Sequence, residues 1–244
     1  MEIAVVVPTL NERENIEPLV QQILAADARL NVIVVDDGSA DGTAQWVRDF
    51  ADSEASQAPR VYLIDRGRKL GYASAIQDGM RLALKSGAVW ILQMDADFSH
   101  DPKYLPEILS KMARDNCDLV IGSRYVAGGG TRNWGVDRKI MSAGANNLAR
   151  ALLELPANDC TAGFRCWKRE LIEKSGVLDV QVQGYAFLFM TLYRCAQLGA
   201  KVGEVPIIFV DRQYGKSKMN RRIAVEGVRV LWKLWWQHLH RKNV

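Results

Sequence analysis

Asp95-Ala96-Asp97 follows directly on the apolar run from Ala88 to Met94, so two carboxylates leave the chain where a buried strand should end. In an extended chain residues i and i+2 point the same way, roughly 7 Å apart. Two hard oxygen donors at that spacing suit Mg²⁺ or Mn²⁺, which completes its octahedron with waters and the oxygens of a bound diphosphate. A solvated loop is the alternative for any isolated Asp-Xaa-Asp. A second polar cluster, Asp36-Asp-Gly-Ser-Ala-Asp-Gly-Thr43, also closes an apolar run and opens a helical pattern. Carboxylates there can accept from a base N–H or from ribose hydroxyls; a strand-to-helix turn is the alternative. Asp41 is assigned to the helix cap and Asp37 to a nucleotide. Gly67, Gly71 and Gly79 do not form GxGxxG, which argues against a dinucleotide-dependent dehydrogenase.

The elements that must position these groups are legible as an alternation. Apolar runs rich in Val and Ile occupy residues 3–7, 32–35, 61–64, 89–94 and 119–122, with helical patterns between them. This predicts an α/β fold with a mostly parallel sheet flanked by helices. Ile16, Leu19, Val20, Ile23 and Leu24 recur as one buried helical face, and Leu105, Ile108, Leu109 and Met112 repeat the device after Pro102. Open α/β sheets bind ligands outside the carboxyl ends of their strands. Pro8-Thr-Leu-Asn-Glu12, Asp36 to Ser39 and Asp95 to Asp97 all fall there. From about residue 123 the pattern changes: a Gly128-Gly-Gly130 loop, a helix over 138–153, irregular sequence through Arg169, a helix near 185–198 and a strand near 205–210. The expectation is a single domain over 1–244, with a nucleotide-binding half (1–122), an acceptor half (123–222) and a C-terminal amphipathic helix (223–244). Repeats and low-complexity tracts are absent.

A hydrophobic fraction of 48% with 25% charged residues is ordinary globular composition, and a net charge of +4 is too small to imply nucleic acid. Positive charge gathers late, in 212–222 and 229–242, as suits phosphates or anionic lipid. A solvated helix face is the alternative for the second of these. The N-terminus lacks the basic stretch and cleavage site of a signal peptide, and no segment reaches 18 uncharged apolar residues. A cytoplasmic location is expected. Cys117, Cys160, Cys166 and Cys195 form no CxxC pair and read as reduced, structural thiols. The final stretch has a helical pattern with Trp232, Trp235 and Trp236 near Arg229, Lys233 and Arg241, a composition suited to a membrane interface. A core-packing helix, or a dock for a membrane subunit, is the alternative.

Pro8-Thr-Leu-Asn-Glu12, Val35-Asp-Asp-Gly-Ser39, Met94-Asp-Ala-Asp97 with Ser99-His100, Ile121-Gly-Ser-Arg-Tyr125 and Gly163-Phe-Arg165 together resemble the polyprenyl (dolichyl) phosphate mannosyltransferases, among the inverting glycosyltransferases of GT-A fold. Glu204-Val-Pro-Ile207 and Arg212-Gln-Tyr-Gly-Lys-Ser-Lys218 carry the resemblance over nearly the whole chain. The first three motifs specify only the superfamily; the last four narrow it to enzymes that glycosylate a lipid phosphate. The resemblance implies a GT-A fold and metal-dependent transfer of a hexose, mannose from GDP-mannose, to a polyprenyl phosphate with inversion. It implies that Pro8, Leu10, Glu12, Val35 and Asp37 hold the nucleoside. Asp95, Ala96 and Asp97 would face the diphosphate and its Mg²⁺ or Mn²⁺, with Ser99 beside the metal. Arg124, Arg212 and Lys218 would surround the donor diphosphate and the lipid phosphate, while Arg138 and Ser142 match residues that bind the acceptor phosphate. Asp159 would contact the sugar or orient the acceptor; a loop-shaping Asx turn is its alternative. A polyprenyl phosphate lives in the bilayer, so the enzyme would sit at the cytoplasmic face of a membrane, with or without a membrane-anchoring subunit.

The chemistry is consistent with that set. Guanidinium forks grip phosphate bidentately and stay charged, and in a water-poor cleft they offset the repulsion between two anionic substrates. A sugar hydroxyl must lose a proton to attack, which demands a carboxylate base. A phosphate monoester, with a second pKa of about 6, is already an anionic nucleophile. The protein then has to position, neutralise and exclude water. Two departures bear on the donor. Phe187-Leu-Phe-Met190 stands where such enzymes commonly read Phe-Gln-x-Glu, and Leu10 replaces a frequent Tyr at the base-stacking position. UDP-glucose or another UDP-sugar is therefore the alternative donor. The missing carboxylate near 184–190 counts against transfer to a sugar hydroxyl, and the retained Asp95, Asp97, Arg124 and Arg212 count against a non-catalytic nucleotide-binding subunit.

Overall fold

The structure is a computed structural model that describes residues 1–53, 59–182, 184–211 and 221–242. Arg212 and Lys218, with the rest of their motif, lie outside the described residues. Strands β1 (Ile3–Thr9), β2 (Leu30–Asp36), β3 (Val61–Asp65), β4 (Trp90–Gln93) and β5 (Leu119–Ser123) alternate with helices α1 (Arg13–Ala26), α2 (Thr43–Ser53), α3 (Tyr72–Lys85) and α4 (Leu105–Arg114). The second half supplies β6 (Gly130–Arg132), α5 (Val136–Leu153), β7 (Arg165–Lys168), α6 (Arg169–Ser175), α7 (Gly184–Gln197), β8 (Val202–Pro206), β9 (Ile208–Val210) and α8 (Arg221–Lys242).

Seven strands form one sheet in the order β3-β2-β1-β4-β7-β5-β8. Its pairs are parallel except those of β7, which runs antiparallel between β4 and β5. Because successive side chains of a strand face opposite ways, β1 feeds two cores at once. Ile3, Val5 and Val7 pack with Ile16, Leu19 and Ile23 of α1 and Ile108 of α4, while Ala4 and Val6 pack with Ile76 and Met80 of α3. α3 closes down on the sheet because position 79 has no side chain: a Cβ on Gly79 would stand 2.3 Å from Val6 Cγ1. The second face also holds Phe187 and Leu192 of α7 and Leu234 of α8.

Two features of the second half differ from the sequence reading. The stretch left irregular contains β7, whose four residues are too few to show alternation. Its register, Leu92 and Val120 both against Cys166, is set by pairing on two sides. The strand expected over 205–210 is two strands in different sheets: β8 pairs with β5, and β9 pairs with β6. Pro206, which has no N–H to extend a ladder, closes β8. Buried Ile207 makes the break, its N–H donating to Ser123 O at 3.0 Å.

All four cysteines are free and buried, as the sequence suggested. Burial pushes the Cys160 and Cys195 thiols up to about 12 and Cys166 further still. No helix among the described residues is long and apolar enough to cross a membrane.

Candidate active site

The carboxyl ends of β1 and β2 are joined by their own polar residues. Buried Asp36 accepts from Thr9 Oγ1 at 2.9 Å, from the N–H groups of Gly38 and Ser39 at 3.1 and 2.8 Å, and from Ser39 Oγ. Asp41 accepts from the Thr43 N–H and Thr43 Oγ1 at the start of α2 and from the Arg13 N–H at the start of α1. Burial raises its pKa, but these hydrogen bonds outweigh burial and hold it below its ordinary value. Asp41 therefore bonds the first N–H of α2 from one position before the N-cap, a place taken by Gly42, whose carbonyl accepts from the Trp46 N–H. Pro8 and Val35 are paired across the ladder, Leu10 follows β1, and Glu12 donates its N–H to Thr43 Oγ1 at 3.0 Å. The expected nucleoside residues are therefore neighbours.

Asp37 has structural partners that the sequence did not announce. Arg66 Nη1 lies 2.9 Å from it, with the two side chains 4% and 8% exposed, and the N–H groups of Leu70 and Gly71 donate to it at 3.2 and 2.8 Å. It thus ties the 66–71 segment to the end of β2.

Beyond β4 the chain turns sharply through Phe98, at φ 59°, and brings Asp95, Asp97, Ser99 and His100 together. Asp97 is buried; its Oδ1 accepts from the Ser99 N–H at 3.1 Å and, more closely, from the Ser99 hydroxyl, so Ser99 orients that carboxylate. The Asp95 N–H donates to His100 Nδ1 at 3.0 Å. His100 is stacked on Phe164 at 5.1 Å and meets Phe209 edge-on. Burial drives its pKa down against the pull of Asp95 and Asp97, which makes it a neutral brace for the turn. The Asp95 side chain keeps 35% exposure. The missing side chain at Gly163 leaves room beside it: a Cβ there would stand 3.6 Å from Asp95 Oδ1 and 2.9 Å from Tyr72 Oη. Among the described residues no group of three or more His, Cys, Asp or Glu could hold a metal. Two carboxylates at a strand end nevertheless fit Mg²⁺ or Mn²⁺, which takes one or two protein oxygens and draws the rest from phosphates and water.

The other half of the site is built over longer distances. Arg124, just after β5, meets buried Asp159 bidentately, Nε to Oδ2 and Nη2 to Oδ1 at 2.7 Å each, and its N–H donates to Oδ2 at 3.0 Å. Nη2 also donates to Thr161 Oγ1 at 2.8 Å. Rings of Tyr125, Trp134 and Phe209 lie 5.3 to 5.5 Å from the guanidinium carbon, a desolvated setting in which cation–π attraction is felt. The loop bearing Asp159 is clamped from both sides. Glu204 of β8 accepts from the N–H groups of Asn158 and Asp159 at 2.8 and 3.0 Å. Asn146 of α5 accepts from the Cys160 N–H at 2.7 Å and donates to the Asn158 carbonyl. Neither Glu204 nor Asn146 was a sequence candidate; the signal for Glu204 lay in its motif, and none marked Asn146.

One turn apart on α5, Arg138 pairs with Asp211 at 2.7 Å and stacks 4.1 Å over Trp134, while Ser142 Oγ accepts from Tyr125 Oη at 2.9 Å. Trp134, lying against both guanidinium groups, joins Arg138 to Arg124, and Tyr125, whose ring also faces Arg124, brings Ser142 into the same cluster. The apolar replacement at 187–190 is core here: Phe187, Leu188 and Phe189 are buried, and the Leu188 carbonyl accepts from Arg165 Nη1 at 2.8 Å. Arg165 is fully buried and also bonds the Cys160 and Ala162 carbonyls, so it fastens α7 to the loop that carries Asp159. Burial pushes its pKa down.

A mostly parallel sheet with a carboxylate pair after β4 and a buried arginine after β5, the two strands held apart by antiparallel β7, defines a nucleotide-sugar transferase of GT-A fold. The chain belongs to glycosyl transferase family 2, whose profile matches residues 4–176. Over 228 residues it is 37% identical to the undecaprenyl-phosphate mannosyltransferase of Micrococcus luteus, covering 93% of this chain and 91% of that one. It is 39% identical over 216 residues to the polyprenol monophosphomannose synthase of Mycolicibacterium smegmatis, covering 88% and 80%. Among solved structures, the glucosyl-3-phosphoglycerate synthase of Mycobacterium tuberculosis, held with Mn²⁺, UDP and glucosyl-3-phosphoglycerate, superposes with a TM-score of 0.66 at 17% identity, over 96% of this chain and 79% of that one. That likeness establishes the fold.

Proposed function

We propose that this enzyme transfers a mannosyl residue from GDP-mannose to a polyprenyl phosphate with inversion, aided by Mg²⁺ or Mn²⁺. The observation that carries this reading is the state of Asp159. Both of its oxygens are held by Arg124, so it is poorly placed to take a proton from a sugar hydroxyl. An acceptor that arrives as an anion needs no such base, and both relatives bear names of enzymes that act on polyprenols.

In this reading Pro8, Leu10, Glu12, Val35 and Asp37 border the nucleoside, and Ala96 lies beside the diphosphate. Asp95 and Asp97 would hold the metal, with Ser99 orienting Asp97. When bound, the metal neutralises charge that builds on the leaving diphosphate. Arg124, Arg138 and Ser142 seat the acceptor phosphate, and Arg212 and Lys218, outside the described residues, would supply positive charge to the diphosphate. A phosphate oxygen attacks C1 of the sugar from the face opposite the nucleotide. The C1–O bond to the diphosphate breaks, and its electron pair leaves with GDP. Asp159 keeps Arg124 aimed and charged throughout.

Peripheral attachment to the cytoplasmic face of a membrane is supported by two exposed apolar faces. α5 presents Val136, Ile140, Met141 and Leu148, and α8 presents Val228, Trp232 and Trp236. Trp235 packs against the core instead, so only two of the three tryptophans are available to lipid. A membrane-anchoring subunit is the other occupant this surface suits. A UDP-sugar is the second reading for the donor, favoured by Leu10 at the base-stacking position. Incubating the enzyme with labelled sugar nucleotides, Mg²⁺ and polyprenyl phosphate separates the two. Mannosyl phosphoryl polyprenol formed from GDP-mannose alone is the expected product, and a glucosyl product from UDP-glucose would replace the donor assignment.

A further inference from the structure

Between α6, α7 and α8 the surface opens into a groove of about 1040 Å³ that shares no residue with the transfer site. Its cations come from three different helices: Lys174 from α6, Arg194 from α7 and Lys233 from α8. None of the described residues lining it is acidic. A solvated helix face would place its charges on one element. Here three elements converge, and Arg194 is fixed in place by donating from Nη1 to the Gly176 carbonyl. The floor is apolar, with Leu234 and the ring of Tyr193 buried. At the mouth stands Trp236, 56% exposed, its ring 3.9 Å from that of His240. Outside the mouth the exposed side chains of Trp232 and Leu239 continue from the same helix.

We propose that this groove binds the phosphate headgroup of an anionic phospholipid. Charge complementarity selects an anion, and the adjoining aromatic and aliphatic side chains select an anion still attached to a bilayer. Tryptophan settles at headgroup level, and lysine and arginine near the surface each add attraction to acidic lipid. The proposal deepens the membrane part of the proposed function and rests on it. It adds a second lipid contact apart from the acceptor site, of the kind stable anchoring requires.

The test is flotation with vesicles of phosphatidylcholine alone or with phosphatidylglycerol added. Wild type is compared with Lys174→Ala/Lys233→Ala and with a charge-matched control, Lys85→Ala/Lys201→Ala, at exposed positions elsewhere. We expect the groove variant to lose about tenfold in partition to phosphatidylglycerol vesicles, the control to match wild type, and Trp236 to be quenched by a headgroup-labelled phosphatidylglycerol. Equal partition of the two variants, or no binding by wild type, overturns the proposal. So does competition by millimolar inorganic phosphate, which marks a free-anion site. A Lys174→Gln/Lys233→Gln variant guards against a folding defect in the alanine pair. Transfer to a short, soluble prenyl phosphate without vesicles is measured in parallel and should be unchanged in both variants. Absence of transfer by wild type there sinks the proposed function and leaves the vesicle result to decide the groove.

Discussion

The donor edge of the sheet and the acceptor edge are assembled by different kinds of contact. At the donor edge Asp36, Asp41 and Asp97 each bond backbone or hydroxyl groups two or three residues further on. At the acceptor edge Arg124 reaches Asp159, Asp159 is held by Glu204, and Arg138 reaches Asp211, across 35, 45 and 73 residues. The first edge takes the shape of each loop from its own turn, and longer bonds, Asp36 to Thr9 and Asp41 to Arg13 across 27 and 28 residues, then fasten the finished turns to one another. The second has a shape only once β5, α5, β7 and β8 are packed, so damage to one contact there should spread.

The sharpest way to break the comparison is at the donor edge. If Asp97 holds the metal as proposed, Asp97→Ala should lower turnover by at least about 10³-fold while leaving the melting temperature close to wild type, because its bonds to Ser99 shape only a local turn. A chelator should do the same to the wild-type enzyme. Full turnover in EDTA would remove the metal from the reading.

At the acceptor edge activity and stability should fall together. Asp159→Ala strands a buried guanidinium, which destabilises by about 3–5 kcal/mol; Arg124→Ala/Asp159→Ala should recover part of that loss in a denaturant titration. Glu204→Ala leaves buried N–H groups unpaired at about 1–3 kcal/mol. It should also lower turnover with little change in KM for the sugar nucleotide, since it holds the loop and not the donor. A Glu204→Ala enzyme with normal turnover would show that the clamp is structural only.

Smaller still is Arg138→Ala. Its pair with Asp211 is partly exposed, at 44% and 32%, so stability should shift by less than about 1 kcal/mol, while KM for the lipid phosphate rises about tenfold. A change in the donor KM instead would move Arg138 to the other edge. The smallest effect near neutral pH is a pH dependence confined to the acceptor half. Burial raises Cys160 and Cys195 from 9.0 to about 12. A thiol whose pKa is higher folded than unfolded contributes stability that is intact below about pH 9 and is lost as pH rises from there towards 12. Denaturant midpoints measured from pH 8 to pH 11 should fall, and Cys160→Ala should flatten the fall.

The same division explains how much could be read in advance. The helix face of Ile16, Leu19, Val20, Ile23 and Leu24 follows from a period of 3.6, and the strand ends at Asp36 and Asp95 from continuous apolar runs, both of which are properties of neighbouring residues. β7 was missed because four residues carry no period, and the break at Ile207 because the switch of partner from β5 to β6 leaves no mark on composition. Asp37 shows the limit within the legible half: its place at a strand end was clear, but its bond to Arg66 depended on where the 66–71 segment came to rest.

By itself the sequence determined the alternation of elements, the edge of the sheet where polar motifs gather, and the residue types able to hold a metal, a diphosphate and a lipid phosphate. Local periodicity and turn chemistry encode these, and they act over a few residues. Only the tertiary structure decided that Arg124 is committed to Asp159, that Glu204 and Asn146 clamp the loop between them, and that Trp235 turns inward while Trp232 and Trp236 face out. Those outcomes depend on which surfaces meet when the helices close on the sheet. A buried charge takes whichever partner that closure brings within reach.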